Sequence, residues 1–333
     1  MPLNHPDDVE ATPHVDGTEI LAAVDGAFRD CPGLEELGLL FSDGPVSQEE
    51  AQEAVGGGSG QLELRIAAGA VVVVDQKLAL AYWCLPALLT AAKEGIARLR
   101  QIPEWWSNGG HAEAMHKCTR AMLLIAADTS SSWNHRKRLI QVGVLSRASE
   151  LRFLDLVQSK HQKCQEAWAH RRWVVLPLLL AEGGEPVPPD FVDSELAAID
   201  RAVSLYRKNY NAWSYKLWLC ERLPADRLSS VAEGARAFAK THVSDSAAQH
   251  FRAALLDVQL RRCSTASIAG GSVPVSLGDE LVARVCTEVA FTRELIERTH
   301  ALGCAVWTGE GEGERGRGGA LSLAEELREW RAT

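Results

Sequence analysis

The residues best suited to hold a metal or act as nucleophiles are eight cysteines and ten histidines, and their spacing favours neither task. Cys31, Cys84, Cys118, Cys164, Cys220, Cys263, Cys286 and Cys304 stand apart, with no zinc-ribbon, redox or haem spacing among them. Scattered thiols of this kind are read as buried and reduced. His111 and His116 are five apart, on different helix faces, so no metal pair is expected there. His135 and His170 each follow a tryptophan by two positions and read as packing and hydrogen-bonding elements. The chemistry that the composition does favour is electrostatic. From Asn134 to Arg222 there are 14 Lys and Arg against 10 Asp and Glu, while the whole chain carries −9. A basic middle on an acidic chain can neutralise the oxygens of an anionic group as they gain charge. A solvated helix face is the plainer reading of the same count.

The positions around those cations repeat. Trp133-Asn134-His135-Arg136, Trp168-Ala169-His170-Arg171 and Trp213-Ser214-Tyr215-Lys216 share one frame: Trp, any residue, a ring, a cation. Gln249-His250-Phe251-Arg252 keeps the ring and cation, and Trp307 marks a remnant followed by Thr308-Gly309-Glu310. The intervals are 35, 45, 36 and 58 residues, each long enough for an antiparallel helix pair. Trp133, Trp168 and Trp213 read as structural wedges whose N–H groups require partners. The cation, one turn on, can cover an aromatic face or bond orphan carbonyls. One such unit cannot bury its own apolar stripe, so the units must stack. The expected fold is all-α, an α-α superhelix or crescent of antiparallel helical hairpins.

Around this array the sequence divides into 1–60, an N-terminal helix near Ile20–Arg29 with a Gly-rich linker at Gly56–Gly60; 61–307, the helical repeats; and 308–333, a degenerate, partly disordered tail. Val71–Val74 reads as a lone extended segment feeding a helix from about Lys77. Breaks are expected at Ser107–Gly110, Gly183–Pro189 and Gly270–Pro274. The apolar stretch Leu78–Ala92, interrupted by Pro86, is too short for a membrane span and reads as a buried helix. Met1–Glu10 lacks a secretory pattern and Arg331–Thr333 has no cysteine for lipidation, so a cytoplasmic location is expected. The acidic charge argues against nucleic acid as a partner.

Asn209-Tyr210-Asn211-Ala212-Trp213-Ser214-Tyr215-Lys216-Leu217-Trp218 and Glu166-Ala167-Trp168-Ala169-His170-Arg171-Arg172-Trp173-Val174 resemble repeats of the protein prenyltransferase α-subunit family. Ala27–Leu39, Asp75–Leu78 with Trp83-Cys84, and His242–Asp245 resemble a divergent branch of it, so the likeness runs from about position 20 to position 300. The resemblance implies a crescent of hairpins embracing a separate β subunit, which holds the zinc and most of the isoprenoid pocket. For the divergent branch it implies a β subunit of the Rab geranylgeranyltransferase type, and transfer of geranylgeranyl to a C-terminal cysteine of cytosolic proteins already carrying one lipid. It also places Lys163, five before Trp168, and Tyr210, three before Trp213, in catalytic register. Lys208, Asn209, Arg171 and Arg172 are the implied substrate-binding residues, facing an isoprenoid diphosphate at the interface and a prenylated protein substrate. No cofactor and no activity are expected of this chain alone. The competing reading is a non-catalytic helical-repeat scaffold for protein binding, although the tetratricopeptide frame is missing. An RNA-reading repeat is disfavoured by the charge and the unequal intervals.

Overall fold

The computed structural model describes residues 16–42, 44–48, 64–180, 189–269 and 282–297. The chain divides at Tyr215/Lys216 into two compact units, each taken by itself below. In the first, helix α1 (Gly17–Asp30) starts where the Asp16 carboxylate accepts the Thr18 N–H at 2.8 Å. It ends before Pro32, as the sequence predicts.

The run that follows differs from expectation. Val71–Val74 is not a lone extended segment but a central strand of a four-stranded sheet. The strands are β1 (Glu36–Leu40), β2 (Leu64–Ala67), β3 (Val71–Val74) and β4 (Lys77–Ala81), in the order β1-β4-β3-β2. β1 runs parallel to β4, and the other pairs are antiparallel. Lys77–Ala81 is therefore strand, and the apolar run Leu78–Ala92 is split. Its helix, α2 (Leu85–Arg100), begins only at Leu85, with Pro86 in the first turn where its missing N–H costs nothing. Local chemistry explains the split: Asp75 adopts φ +51° in a two-residue turn that folds the Val run against Leu78–Leu80. At the other turn Gly69 has φ +58°, and a Cβ there would lie 2.7 Å from the Pro45 side chain.

Helical hairpins come next: α3 (Gly109–Ile125) with α4 (Ser130–Gln141), α5 (Arg147–Lys160) with α6 (Gln165–Leu179), and α7 (Pro189–Leu205) with α8 (Tyr210–Cys220). One apolar core runs from Ile20 through Val71–Val73 and Leu88 to Val174, so α1 and the sheet pack onto the first hairpins instead of standing apart from them. The Leu37 N–H on β1 donates to Ser159 Oγ of α5 at 2.9 Å, pinning the sheet edge. The second unit holds α9 (Ala225–Thr241), α10 (Ser246–Ala269) and α11, residues 282–297. There Phe291 and Leu295 pack on Ala239. The protein is thus an all-α helical repeat, with one small sheet among the described residues. The linker at Gly56–Gly60, the breaks at Gly183–Pro188 and Gly270–Pro274, Trp307 and the tail 308–333 lie outside the described residues, and Pro189 opens α7.

Candidate functional site

Each repeat tryptophan sits on the second helix of a hairpin and is buried. In the first two the indole N–H reaches back to the turn before it: Trp133 donates to the Ala127 carbonyl at 2.7 Å and Trp168 to the Gln162 carbonyl at 2.8 Å, each six residues earlier. This satisfies the N–H and fixes the turn in one step. Gln249 stands at the fourth frame position, and its amide makes the same six-residue reach, to the Val243 carbonyl at 3.5 Å. The polar half of the tryptophan's task thus survives its replacement.

The ring and the cation work between hairpins. Arg136 donates from Nε and Nη2 to Glu150 at 2.9 and 2.6 Å, and Glu150 also receives His170 Nε2 at 2.7 Å. Arg171 repeats this on Glu195, at 2.9 and 2.7 Å, and Glu195 receives the Tyr215 hydroxyl at 2.5 Å. The cation of one hairpin therefore meets a carboxylate on the next hairpin, whose own ring bonds that carboxylate. The same rings stack back on the preceding tryptophan, His170 on Trp133 at 4.6 Å and Tyr215 on Trp168 at 5.2 Å between centroids. In the second unit, where the ring is Phe251, Lys216 lies 5.9 Å from its centroid.

These partnerships set the charge states. Burial would raise the Glu150 carboxyl, but Arg136 and His170 outweigh it and hold its pKa at about 2. Burial lowers His170 against the pull of Glu150, so the imidazole is neutral and donates through Nε2. Burial, with Glu195 beside it, pushes the Tyr215 phenol well above its ordinary value. Sequence reasoning missed Glu150 and Glu195. The signal was present: each lies eighteen positions before a repeat tryptophan and twenty before its ring.

The six site residues named from the sequence separate into two groups. Lys163, Lys208 and Tyr210 are exposed and lie in or beside the turns that precede the tryptophan helices. Asn209 Nδ2 donates to the Gln162 carbonyl at 2.9 Å and Asn211 Nδ2 to the Lys163 carbonyl at 2.8 Å, so the two turns are clamped together. The Lys163 ammonium lies 4.1 Å from the Tyr206 ring centroid and lines a depression of about 480 Å3 with Ala126–Asp128, His161 and Asn211. Arg171 belongs elsewhere. It is 1% exposed, with its guanidinium spent on Glu195, Asp155 and Gln158. Arg172 donates to the Ser214 carbonyl at 2.9 Å, tying α6 to α8. Asn209 is fully buried, and its Oδ1 accepts the Ala212 N–H at 3.2 Å, so it caps a helix. Arg171 and Asn209 are thus framework residues, since neither can reach a ligand without breaking the hairpin contacts.

The family profile described as "Protein prenyltransferase alpha subunit repeat" matches residues 148–177 and 192–223. Each stretch is one hairpin bearing the glutamate, the tryptophan and the ring. The chain carries prenyltransferase alpha subunit repeats. It is similar to "Protein prenyltransferase alpha subunit repeat-containing protein 1" of Danio rerio, 28% identical over 74% of this chain and 57% of that protein. The human protein of the same name is 28% identical over 71% of this chain and 57% of its own length. Repeat-containing protein 1-B of Xenopus laevis is 27% identical over 71% and 53%. The chain thus spans little more than half the length of the curated relatives it matches. In the register of these repeats, the glutamate–ring bond lies within one repeat and the cation bond joins it to the repeat before. Among the described residues no three His, Cys, Asp or Glu converge as a metal site, and no helix is long and apolar enough to cross a membrane.

Proposed function

We propose that this chain is the α subunit of a heterodimeric protein geranylgeranyltransferase, whose catalytic partner is a β subunit of the Rab-enzyme type. The observation that carries the reading is the clamp of Asn211 on the Lys163 carbonyl, which brings Lys163 and the start of the Tyr210 helix to one exposed edge. In prenyl transfer a cysteine thiolate displaces diphosphate from the first carbon of the isoprenoid, and negative charge builds on the departing oxygens. An ammonium placed beside them is worth more in the transition state than in the ground state, which lowers the barrier. Lys163 supplies that charge; Tyr210 donates a hydrogen bond to the same group or lines the substrate path. Lys208 adds a second cation on the same edge. In this reading the zinc that activates the thiolate resides on the β subunit. The protein substrate presents a C-terminal cysteine, in the cytoplasm.

The test is co-expression with a Rab-type β subunit. Co-elution as a stoichiometric complex that transfers geranylgeranyl to a cysteine peptide supports the reading, and failure to form a complex overturns it. A second reading, a scaffold that presents the target without touching the chemistry, is favoured by Arg171 and Arg172 being engaged inside the repeats. A complex that assembles normally and transfers at the wild-type rate without Lys163 would select the scaffold.

A further inference from the structure

A depression of about 430 Å3 lies between the chain leading into β1 and helices α5 and α7, away from the Lys163 turn, and internal packing leaves its polar lining incomplete. Gln158, which lines it, is 5% exposed. Its Oε1 accepts from Arg171 Nη1 at 2.9 Å, and because a guanidinium has only donors, that bond decides which end of the amide faces Arg171. The Nε2 end is the other one, and it meets no hydrogen-bond partner among the described residues. A buried NH2 group without an acceptor is costly, and a ligand oxygen would remove that cost.

Two cations flank the same depression. Arg152 and Arg201 line it, both are exposed, and neither has an ion pair or hydrogen bond among the described residues. Most neighbouring carboxylates are already committed: Asp155 to Arg171 at 2.7 Å and Glu36 to Lys77 at 2.8 Å. Glu35, exposed at the rim, is the one left over among the lining residues. Apolar surface completes the wall, and Leu205, at its edge, is 64% exposed.

The geometry points to a recognition site for a peptide segment bearing a carboxylate beside an apolar residue. The carboxylate lies between Arg152 and Arg201, whose planar donor pairs match its two oxygens. A peptide oxygen accepts from Gln158 Nε2, and the apolar side chain covers Leu205. A space of this size takes one or two residues of an extended segment. The inference stands independently of the proposed prenyl transfer.

The test is selection of a displayed random-peptide pool on the whole chain, followed by titration of the enriched peptides. Enrichment of an acidic or C-terminal carboxylate next to an apolar residue is expected, and amidated copies of each peptide separate a terminal carboxylate from a side-chain one. Gln158→Glu keeps an oxygen toward Arg171 while removing the donor. It should weaken binding at least about ten-fold, as should Arg152→Glu and Arg201→Glu on the exposed rim, the last two with an unchanged thermal midpoint. Reselection on the doubly charge-reversed chain should then yield Lys or Arg in place of the acid. No enrichment, enrichment without a carboxylate, or affinity unmoved by these substitutions would overturn the site.

Discussion

The carboxylate of Glu150 meets the guanidinium of Arg136 through two parallel hydrogen bonds, with both side chains almost wholly out of water. Breaking such a pair from one side leaves a buried charge without its counter-ion. Glu150→Ala should therefore cost about 3–5 kcal/mol. Replacing both partners with apolar residues, Arg136→Met with Glu150→Leu, should recover much of that loss. Urea unfolding of the single and double variants measures both values, and a double variant as unstable as the single would show that the pair carries more than charge compensation.

Trp168 and Gln249 hold equivalent frame positions but differ in what they bury. Trp168→Ala should cost about 3–5 kcal/mol, since a large buried ring and its stacking on Tyr215 are both removed. Gln249 is only partly buried but gives up two hydrogen bonds, the long one to Val243 and a 2.6 Å one accepted from Arg252 Nη1, so Gln249→Ala should cost about 1.5–3 kcal/mol. The same denaturation experiment ranks them.

Acid should destabilise the protein in two stages. Burial first, then Arg136 and Arg120, depress the His116 imidazole from 6.5 to about 2, with Glu150 opposing and Lys117 adding to the effect. His170 and His135 are also lowered, each mainly by burial. A base depressed by folding binds its proton more readily in the unfolded chain, so stability present above pH 6.5 is lost as pH falls below it. For His116 alone the loss between about pH 7.5 and about pH 5.5 is roughly 1 kcal/mol. Glu150, lowered from 4.5 to about 2, adds a second loss below pH 4.5. Thermal midpoints across this range should fall with acid, and more gently in His116→Gln; a midpoint that rises on acidification would contradict the assignment.

Under the proposed function, Lys163→Ala and Tyr210→Phe should slow prenyl transfer by roughly ten- to a thousand-fold, or about 1.4–4 kcal/mol of barrier. Both side chains are exposed, so stability and assembly with the β subunit should stay within about 0.5 kcal/mol of wild type. Asn209→Ala is the contrasting variant: it loses a helix cap and the bond to Gln162, and should cost about 1 kcal/mol of stability. Single-turnover rates set beside unfolding curves separate the two behaviours.

By itself the sequence determined the repeat. Trp, ring and cation at fixed offsets specify helices, because only a 3.6-residue period puts the wedge and the cation on one side. The indole's need for an acceptor was equally legible, and Trp133 and Trp168 meet it. Which partner each cation takes was decided by the tertiary structure. Arg136 finds Glu150 fourteen residues on, while Arg171 finds Glu195 twenty-four residues on. Hairpin packing, not sequence distance, sets which side chains meet, and the variable loops hide that register. Arg171 and Arg172 carry the same charge at neighbouring positions, yet a helix turns by about 100° between them, so one is buried in an ion pair and the other ties two helices at the surface. The sheet was undecided for a related reason. Val71–Val74 can be extended alone, but a strand needs edges to bond, and β1 and β2 come from segments whose own sequences are too short to announce them.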